Sequence, residues 1–190
     1  MKLYMIRHGQ SEANIGRMQA GQADSKLTEQ GIRDAYGAKE LLKAFTFDKV
    51  YSSDLSRAKI TQEIASPCEN VIVTKMIREI NVGKVLEHRT FVDCEKEYGE
   101  AYIQNRADYN FVPYGGENYE MLEKRVIEFL FDEVDVNRIE SRFDPNNPHS
   151  GAVMAKCGMQ YEGTLRMADR NNQGICDASY YAILKDEYEK

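Results

Sequence analysis

The sequence predicts an α/β fold built on a largely parallel sheet. Short apolar runs at residues 3–6, 47–51 and 71–73 fit buried strands. Segments with apolar residues at helical spacing follow the first two runs, beginning near Thr28 and Ser53. Strands that alternate with helices form layered α/β sheets, and such sheets bind ligands beyond the carboxyl ends of their strands. A functional site is therefore expected in the loops that follow these strands.

The predicted helices have recognisable starts. Thr28 is expected to cap the first helix, and Ser53 the second, with Asp54 in the first turn of the second helix. A polar helix is predicted within residues 89–108. After the break at Gly115–Gly116, an amphipathic helix is predicted from about Tyr119, because apolar residues again recur at helical spacing.

Composition limits the classes of partner. The 190 residues are 42% hydrophobic and carry a net charge of −6, which fits a globular protein with a core. An acidic chain without a basic run is a poor candidate for nucleic-acid binding, but a small anionic substrate needs only a local basic pocket. No run reaches membrane-spanning length, no signal peptide precedes Arg7, and the four cysteines lack metal-site or redox spacing. We expect a cytoplasmic protein without a metal.

Three consecutive predicted strand ends carry groups suited to phosphate chemistry. His8 follows the first strand, and a neutral imidazole is a competent nucleophile near neutral pH. Arg7 and Arg57 offer planar guanidinium forks for phosphoryl oxygens, Arg57 beside a helix N-terminus, and Gly9 would let the backbone approach the ligand. Glu79 is placed to protonate a leaving oxygen. Each residue alone is a weak signal, but the combination predicts a phosphate site with His8 as nucleophile.

The same residues lie in motifs that resemble a known family. The segment Leu3–Asn14 resembles the signature of the histidine phosphatase superfamily, which includes the phosphoglycerate mutases. The similarity continues through Leu27–Gly31, Tyr51–Ala58, Arg78–Gly83 and Pro113–Glu117. It supports a histidine phosphatase-like domain over residues 1–134, with a three-layer phosphoglycerate mutase-like sheet.

The resemblance also implies roles for individual residues. It implies that His8 becomes phosphorylated and that Arg7 and Arg57 bind the phosphoryl group. It implies that Asn14 lines the pocket and that Glu79 acts first as acid and then as base. No metal or organic cofactor is implied.

One part of the family pattern is missing. The family has a second pocket histidine after a later core strand, and no such segment follows the predicted helix that starts near Tyr119. Of the other two histidines, His88 lies too early, and His149 follows a turn-like segment, Asn146–Pro148. The sheet is therefore expected to be incomplete, and His149 is expected to start a turn or a helix.

Residues 135–190 resemble a different family. The segments Arg138–Met159 and Tyr161–Arg166 look like the C-terminal fragment of a GNAT acetyltransferase of the ribosomal-protein type, with a β-α-β-β order. The Gly-rich loop that binds the acetyl-CoA pyrophosphate in that family has no counterpart here, so acetyl-CoA binding is not expected. Asn147 and Ser150 are then expected to be turn and cap residues.

The chain is interpreted as a fusion. Its strand at Arg138–Phe143 alternates in polarity, which favours a sheet edge over the vacated place in the phosphatase-like sheet.

These patterns predict a phosphomonoester hydrolase that acts on a small phosphorylated metabolite through a phosphohistidine, impaired by loss of the second histidine. The first alternative is a non-catalytic protein that binds phosphorylated metabolites. A less favoured alternative is an acetyl-CoA-dependent N-acetyltransferase. The sequence leaves open the substrate, the choice between mutase and phosphatase, and the oligomeric state.

Overall fold

A computed structural model describes residues 4–66, 68, 70–171 and 173–188. The chain forms two compact units that divide between Asn118 and Tyr119. The domain boundary near residue 134 remains a prediction about sequence relationships, and the packing boundary lies earlier in the chain. Among the described residues, no helix combines the length and apolar character needed to cross a membrane.

The N-terminal unit is an α/β structure with a parallel strand pair, as predicted. Strands β1 (Val50–Ser53) and β2 (Val71–Thr74) pair in parallel, with Val50 opposite Val71 and Ser53 opposite Thr74. The predicted Thr28 cap is confirmed, because the Thr28 hydroxyl accepts the Gly31 N–H at 3.1 Å. The elements of this unit are α1 (Glu12–Ile15), α2 (Glu29–Leu42), β1 (Val50–Ser53), α3 (Ser56–Ala65), β2 (Val71–Thr74), α4 (Phe91–Ala107) and a 3₁₀ turn (Val112–Tyr114).

The first predicted strand does not form where the structure describes it. Tyr4, Met5 and Ile6 join no sheet, and their exposed fractions are 42%, 89% and 47%. Leu3 lies outside the described residues. A strand needs a neighbour to pair with its backbone N–H and C=O groups, and the sheet of this unit contains only β1 and β2 within the described ranges. The expectation of a buried strand at residues 4–6 was wrong, and the three-layer sheet is reduced to a strand pair there.

The start of the second helix also differs from the prediction. Ser53 is the last residue of β1, and α3 begins at Ser56 with Leu55 as its N-cap. Asp54, expected in the first helical turn, instead forms an ion pair with Arg78. The strand is shifted toward the C-terminus relative to the predicted run at residues 47–51, so the turn and the helix start are displaced along the chain as well.

A close backbone crossing holds the loop that carries His8. A Cβ atom on Gly9 would lie 2.2 Å from the Gly31 carbonyl oxygen, and one on Gly31 would lie 2.0 Å from the Gln10 carbonyl oxygen. The Gln10 carbonyl also accepts the Thr28 N–H at 3.0 Å. Gly9 therefore packs this loop on the first turn of α2, and its predicted role in letting the backbone approach a ligand stays a prediction.

The C-terminal unit contains an antiparallel sheet, in which β5 (Gly174–Leu184) lies between β3 (Arg138–Phe143) and β4 (Gln160–Asn171). Its β-α-β-β order agrees with the prediction, and β3 lies at a sheet edge as its alternation predicted. The helix expected near Ser150 begins at Pro148 with Asn147 as its N-cap. The elements are α5 (Tyr119–Asp132), β3 (Arg138–Phe143), α6 (Pro148–Lys156), β4 (Gln160–Asn171), β5 (Gly174–Leu184) and α7 (Lys185–Tyr188).

The core of this unit explains why α5 belongs to it. Ile127 and Phe131 on α5 are 5% and 0% exposed, and they pack in one apolar cluster with residues of α6, β5 and the connecting segments. Burial of such side chains contributes roughly 1.5–3 kcal/mol each. The cluster consists of Ile127, Phe131, Val136, Met154, Cys157, Met159 and Ile183.

We predict that Gly31→Ala destabilises the chain by about 2 kcal/mol or more, because the new methyl group would overlap the Gln10 backbone. Gly37→Ala on the same helix is the matched control, since a Cβ there meets nothing within 4 Å. The control should raise the free energy of unfolding by roughly 0.5–1 kcal/mol. Urea unfolding followed by circular dichroism measures both, and equal effects would contradict the crossing.

Candidate active site

The imidazole of His8 is held in one tautomer. Its Nδ1 lies 2.7 Å from the Gly9 carbonyl oxygen. A carbonyl can only accept a hydrogen bond, so Nδ1 carries the proton and donates it. The lone pair of the neutral ring is therefore on Nε2, and the half-buried ring presents Nε2 as its nucleophilic atom.

The guanidinium of Arg57 contacts that atom directly. Arg57 is 3% exposed, and its Nε donates to His8 Nε2 at 3.2 Å. Its Nη1 donates to the Ala23 carbonyl at 2.7 Å, and its Nη2 donates to the carbonyls of Ala20 and Gly21 at 3.1 and 2.8 Å. These carbonyls satisfy a buried cation and fix the orientation of its planar fork.

Thr61 links the His8 loop to α3. Its hydroxyl oxygen accepts the Gly9 N–H at 3.2 Å and donates to the Arg57 carbonyl at 2.7 Å, one helical turn earlier. The side chain is buried at 4% exposure. Its spacing from Arg57 places it on the same helix face.

The N-terminus of α3 is bound by the side chain of Asp24. The Asp24 carboxylate accepts the Ser56 N–H at 2.9 Å and the Ser56 hydroxyl at 2.7 Å. A carboxylate at this position satisfies the positive end of the helix. Asp24 therefore satisfies the N-terminus of the helix that carries Arg57.

The surroundings of His8 lower the pKa of its imidazole below 6.5. Burial is the largest cause, and it outweighs the opposing hydrogen bond to the Gly9 carbonyl. The positive charges of Arg57 and Arg7 lower the pKa further, while the negative charge of Glu79 raises it. The ring is consequently neutral at neutral pH and retains its Nε2 lone pair.

Arg7 and Glu79 lie within electrostatic range of His8. Both side chains are exposed, with Glu79 in the loop that follows β2. The Glu79 charge also acts on Arg57, whose pKa is lowered chiefly by burial and raised by Glu79 and Asp24. The structure thus brings His8 and Arg57 into contact and gathers Arg7 and Glu79 around them.

Asn14 has a local structural role that the sequence did not predict. Its amide oxygen accepts the Ser11 N–H at 2.9 Å and the Ser11 hydroxyl at 3.0 Å, which forms a cap at the start of α1. The role of Asn14 in lining the pocket stays a prediction.

The other two histidines lie in different settings. His88 is exposed in a loop with a φ of 63°, and its N–H donates to the Gln19 carbonyl. His149 is exposed near the start of α6 in the C-terminal unit, which confirms its predicted position at a helix start. Across the described part of the chain, no group of three or more His, Cys, Asp or Glu side chains is arranged to hold a metal ion.

Comparison with known proteins agrees with this geometry. Residues 3–140 match the model of the histidine phosphatase superfamily, branch 1. The chain is 33% identical over 133 residues to an adenosylcobalamin/alpha-ribazole phosphatase of Salmonella typhimurium, covering 68% of this chain and 65% of the relative. It is also 33% identical over 140 residues to a 2,3-bisphosphoglycerate-dependent phosphoglycerate mutase of Parvibaculum lavamentivorans. That match covers 70% of this chain and 66% of the relative.

A solved structure leads to the same family. The chain is similar to a crystal structure described as a putative alpha-ribazole-5′-P phosphatase of Escherichia coli, with a TM-score of 0.60 and 31% identity. That match covers 68% of this chain and 66% of the other. The chain spans about 65% of the length of the curated Salmonella relative. The family match covers well over half of the sequence, and the chain belongs to the histidine phosphatase superfamily, branch 1.

Proposed function

We propose that the chain hydrolyses phosphomonoesters of small metabolites through a phosphohistidine at His8. The observation that carries this proposal is the contact between His8 Nε2 and Arg57 Nε at 3.2 Å. With Nδ1 bound to the Gly9 carbonyl, Nε2 is the atom with a lone pair, and a guanidinium lies beside it. A phosphoryl group that bound there would meet a nucleophile and a fixed cation together.

In the first step, the Nε2 lone pair of His8 attacks phosphorus and the bond from phosphorus to the leaving oxygen breaks. Protonated Glu79 gives its proton to that oxygen, which departs as an alcohol. Arg57 Nε exchanges its contact with Nε2 for a phosphoryl oxygen, and Arg7 supplies a second cation. The product of this step is N-phosphorylated His8 with Glu79 as a carboxylate.

In the second step, water attacks the phosphorus of phosphohistidine. The Glu79 carboxylate removes a proton from that water, and the bond from phosphorus to Nε2 breaks. Inorganic phosphate leaves, and both His8 and Glu79 return to their starting protonation states. The two steps need no oxidant or reductant, because only bonds to phosphorus and protons are exchanged.

The names of the relatives support the substrate class. They describe an adenosylcobalamin/alpha-ribazole phosphatase and a phosphoglycerate mutase, so both handle small phosphorylated molecules. Hydrolysis is proposed over mutase activity because it requires only transfer to water, whereas a mutase must also retain a bisphosphate. Activity is expected to be reduced, since the chain has no segment equivalent to the one with the second family histidine.

A second candidate function is phosphometabolite binding without turnover. Four of the five N–H groups of Arg57 already donate to protein acceptors, counting the contact with His8. If Nε does not release His8, a phosphate would bind near the cations without reaching the nucleophile. This candidate predicts phosphate binding with no phosphohistidine.

We further infer that residues 135–190 derive from the end of a GNAT acetyltransferase. The order β3-α6-β4-β5 supports this relationship. Asn147 is the N-cap residue of α6, whereas Ser150, predicted as a cap, lies inside the helix, where its hydroxyl accepts a hydrogen bond from Asn147 Nδ2 at 3.1 Å. No acetyl-CoA activity is proposed for this unit.

We predict that His8→Ala abolishes both phosphoenzyme formation and turnover of p-nitrophenyl phosphate, because the nucleophile is lost. An acid-labile, base-stable label from a ³²P-phosphoester measures the intermediate. His88→Asn is the matched control, since asparagine tolerates the left-handed backbone at this exposed position. His149→Gln should likewise keep the label, whereas loss of label in that variant would make His149 part of the site.

We predict that Arg57→Ala lowers kcat by about 10²–10³, because a preorganised donor to the transition state is removed. Arg33→Ala on α2 removes an exposed guanidinium and should leave kinetics unchanged. Steady-state kinetics on p-nitrophenyl phosphate checks both variants. A rise in KM with an unaltered kcat would contradict this assignment, because it would mean that Arg57 stabilises the bound substrate and the transition state equally.

We predict that the His8 ring titrates below pH 6.5 and that Arg57→Ala raises this pKa. The substitution removes a positive charge and admits water, and both changes favour the imidazolium form. Because neutral His8 is the nucleophile, the acid limb of kcat/KM should fall below pH 6.5 in the unsubstituted chain. NMR titration of the ring, assigned with His8→Ala, measures the pKa, and a value at or above 6.5 would contradict the prediction.

A further inference from the structure

A bidentate ion pair joins the turn before α3, the helix that carries Arg57, to the loop that carries Glu79. Arg78 Nε and Nη2 donate to the two carboxylate oxygens of Asp54, each at 2.6 Å. Asp54 lies in the turn before α3, less than one helical turn ahead of Arg57, and Arg78 directly precedes Glu79. Both paired side chains are 24% exposed, so the pair is partly shielded from solvent.

Gln22 extends this pair to the backbone of Glu79. Arg78 Nη1 donates to Gln22 Oε1 at 3.3 Å, and Gln22 Nε2 donates to the Glu79 carbonyl at 3.2 Å. Gln22 also lies between Gly21 and Ala23, whose carbonyls orient the Arg57 guanidinium. The segment that fixes the phosphate-binding fork is therefore hydrogen-bonded to the segment that carries the proposed acid.

We propose that Asp54 and Arg78 are positioning residues that hold Glu79 at the leaving oxygen. This inference rests on the proposed function. Glu79 is exposed and lies on a loop, so packing alone does not fix it. Its carboxylate accepts the N–H of Ile80 at 2.9 Å, which ties the acid to the same backbone that Gln22 holds.

The chemistry of the Asp54–Arg78 ion pair fits a role in positioning Glu79 better than a role in stabilising the fold. Partly exposed ion pairs contribute little to folding free energy, but a bidentate fork fixes the relative geometry of two loops. Small displacements of a catalytic group cost large factors in rate. Neither Asp54 nor Arg78 needs to touch the substrate, because both act through the position of Glu79.

The test compares two esters that differ in their need for an acid. p-Nitrophenyl phosphate releases a stable anion, whereas phenyl phosphate releases a more basic oxygen that needs a proton. General-acid catalysis contributes roughly 10²–10⁴ in rate. Asp54→Asn and Arg78→Gln should each lower kcat/KM for phenyl phosphate at least about tenfold more than for p-nitrophenyl phosphate. kcat/KM is the readout because it excludes the later dephosphorylation step.

Further variants separate positioning from damage to the fold. The double variant Asp54→Asn/Arg78→Gln should lose no more than the more impaired single variant, because the two residues act as a unit. Arg78→Lys keeps the charge but loses the fork, and it should show the same selective loss even if Asp54→Asn fails to fold. Glu40→Gln breaks the exposed pair with Lys43 in the same unit and should change neither ester.

The outcomes distinguish this inference from the proposed function. Selective loss on phenyl phosphate supports the positioning role. Equal losses on both esters, or no loss in any variant, would overturn it while leaving His8-dependent hydrolysis intact. Absence of His8-dependent turnover in the unsubstituted chain would overturn the proposed function, and the positioning role with it.

Discussion

The contact between the Arg57 guanidinium and the His8 imidazole is the constraint on which the site depends. A buried cation is costly unless it is hydrogen-bonded, and the carbonyls of the Ala20–Ala23 loop satisfy this one. The same bonds leave Nε directed at His8, which has its own tautomer fixed by Gly9. The nucleophile and the cation are therefore preorganised by backbone oxygens, which vary little with side-chain identity.

The site is held by helices and loops more than by a sheet. Tyr4–Ile6 join no strand, yet the loop that carries His8 packs closely on α2 through Gly9 and Gly31. Thr61 binds the same loop to α3. Because these contacts do not involve the first predicted strand, the geometry of His8 does not require that strand to be paired.

Sequence similarity and packing divide the chain at different points. The family match runs to residue 140, whereas the compact units divide before Tyr119. Helix α5 belongs to the family match, but its apolar residues Ile127 and Phe131 pack in the core of the C-terminal unit. The unit to which α5 belongs depends on the apolar residues that cover its buried face, and the extent of the family match does not determine it.

The sequence by itself determined the α/β class, the Thr28 cap, the order of elements in the C-terminal unit and the residues gathered around His8. The class, the cap and the order of elements are local properties, because periodicity, capping and motif spacing act over a few residues. The contact of Arg57 with His8 is not local, and it was predicted because residues at successive strand ends meet at one edge of a sheet. Only the tertiary structure decided that Tyr4–Ile6 remain unpaired, that Asp54 binds Arg78 rather than starting a helix, and that Gly9 meets Gly31. Each of these depends on a partner that is distant along the chain, and neither strand pairing nor the contacts of a carboxylate or a glycine can be obtained from local pattern alone.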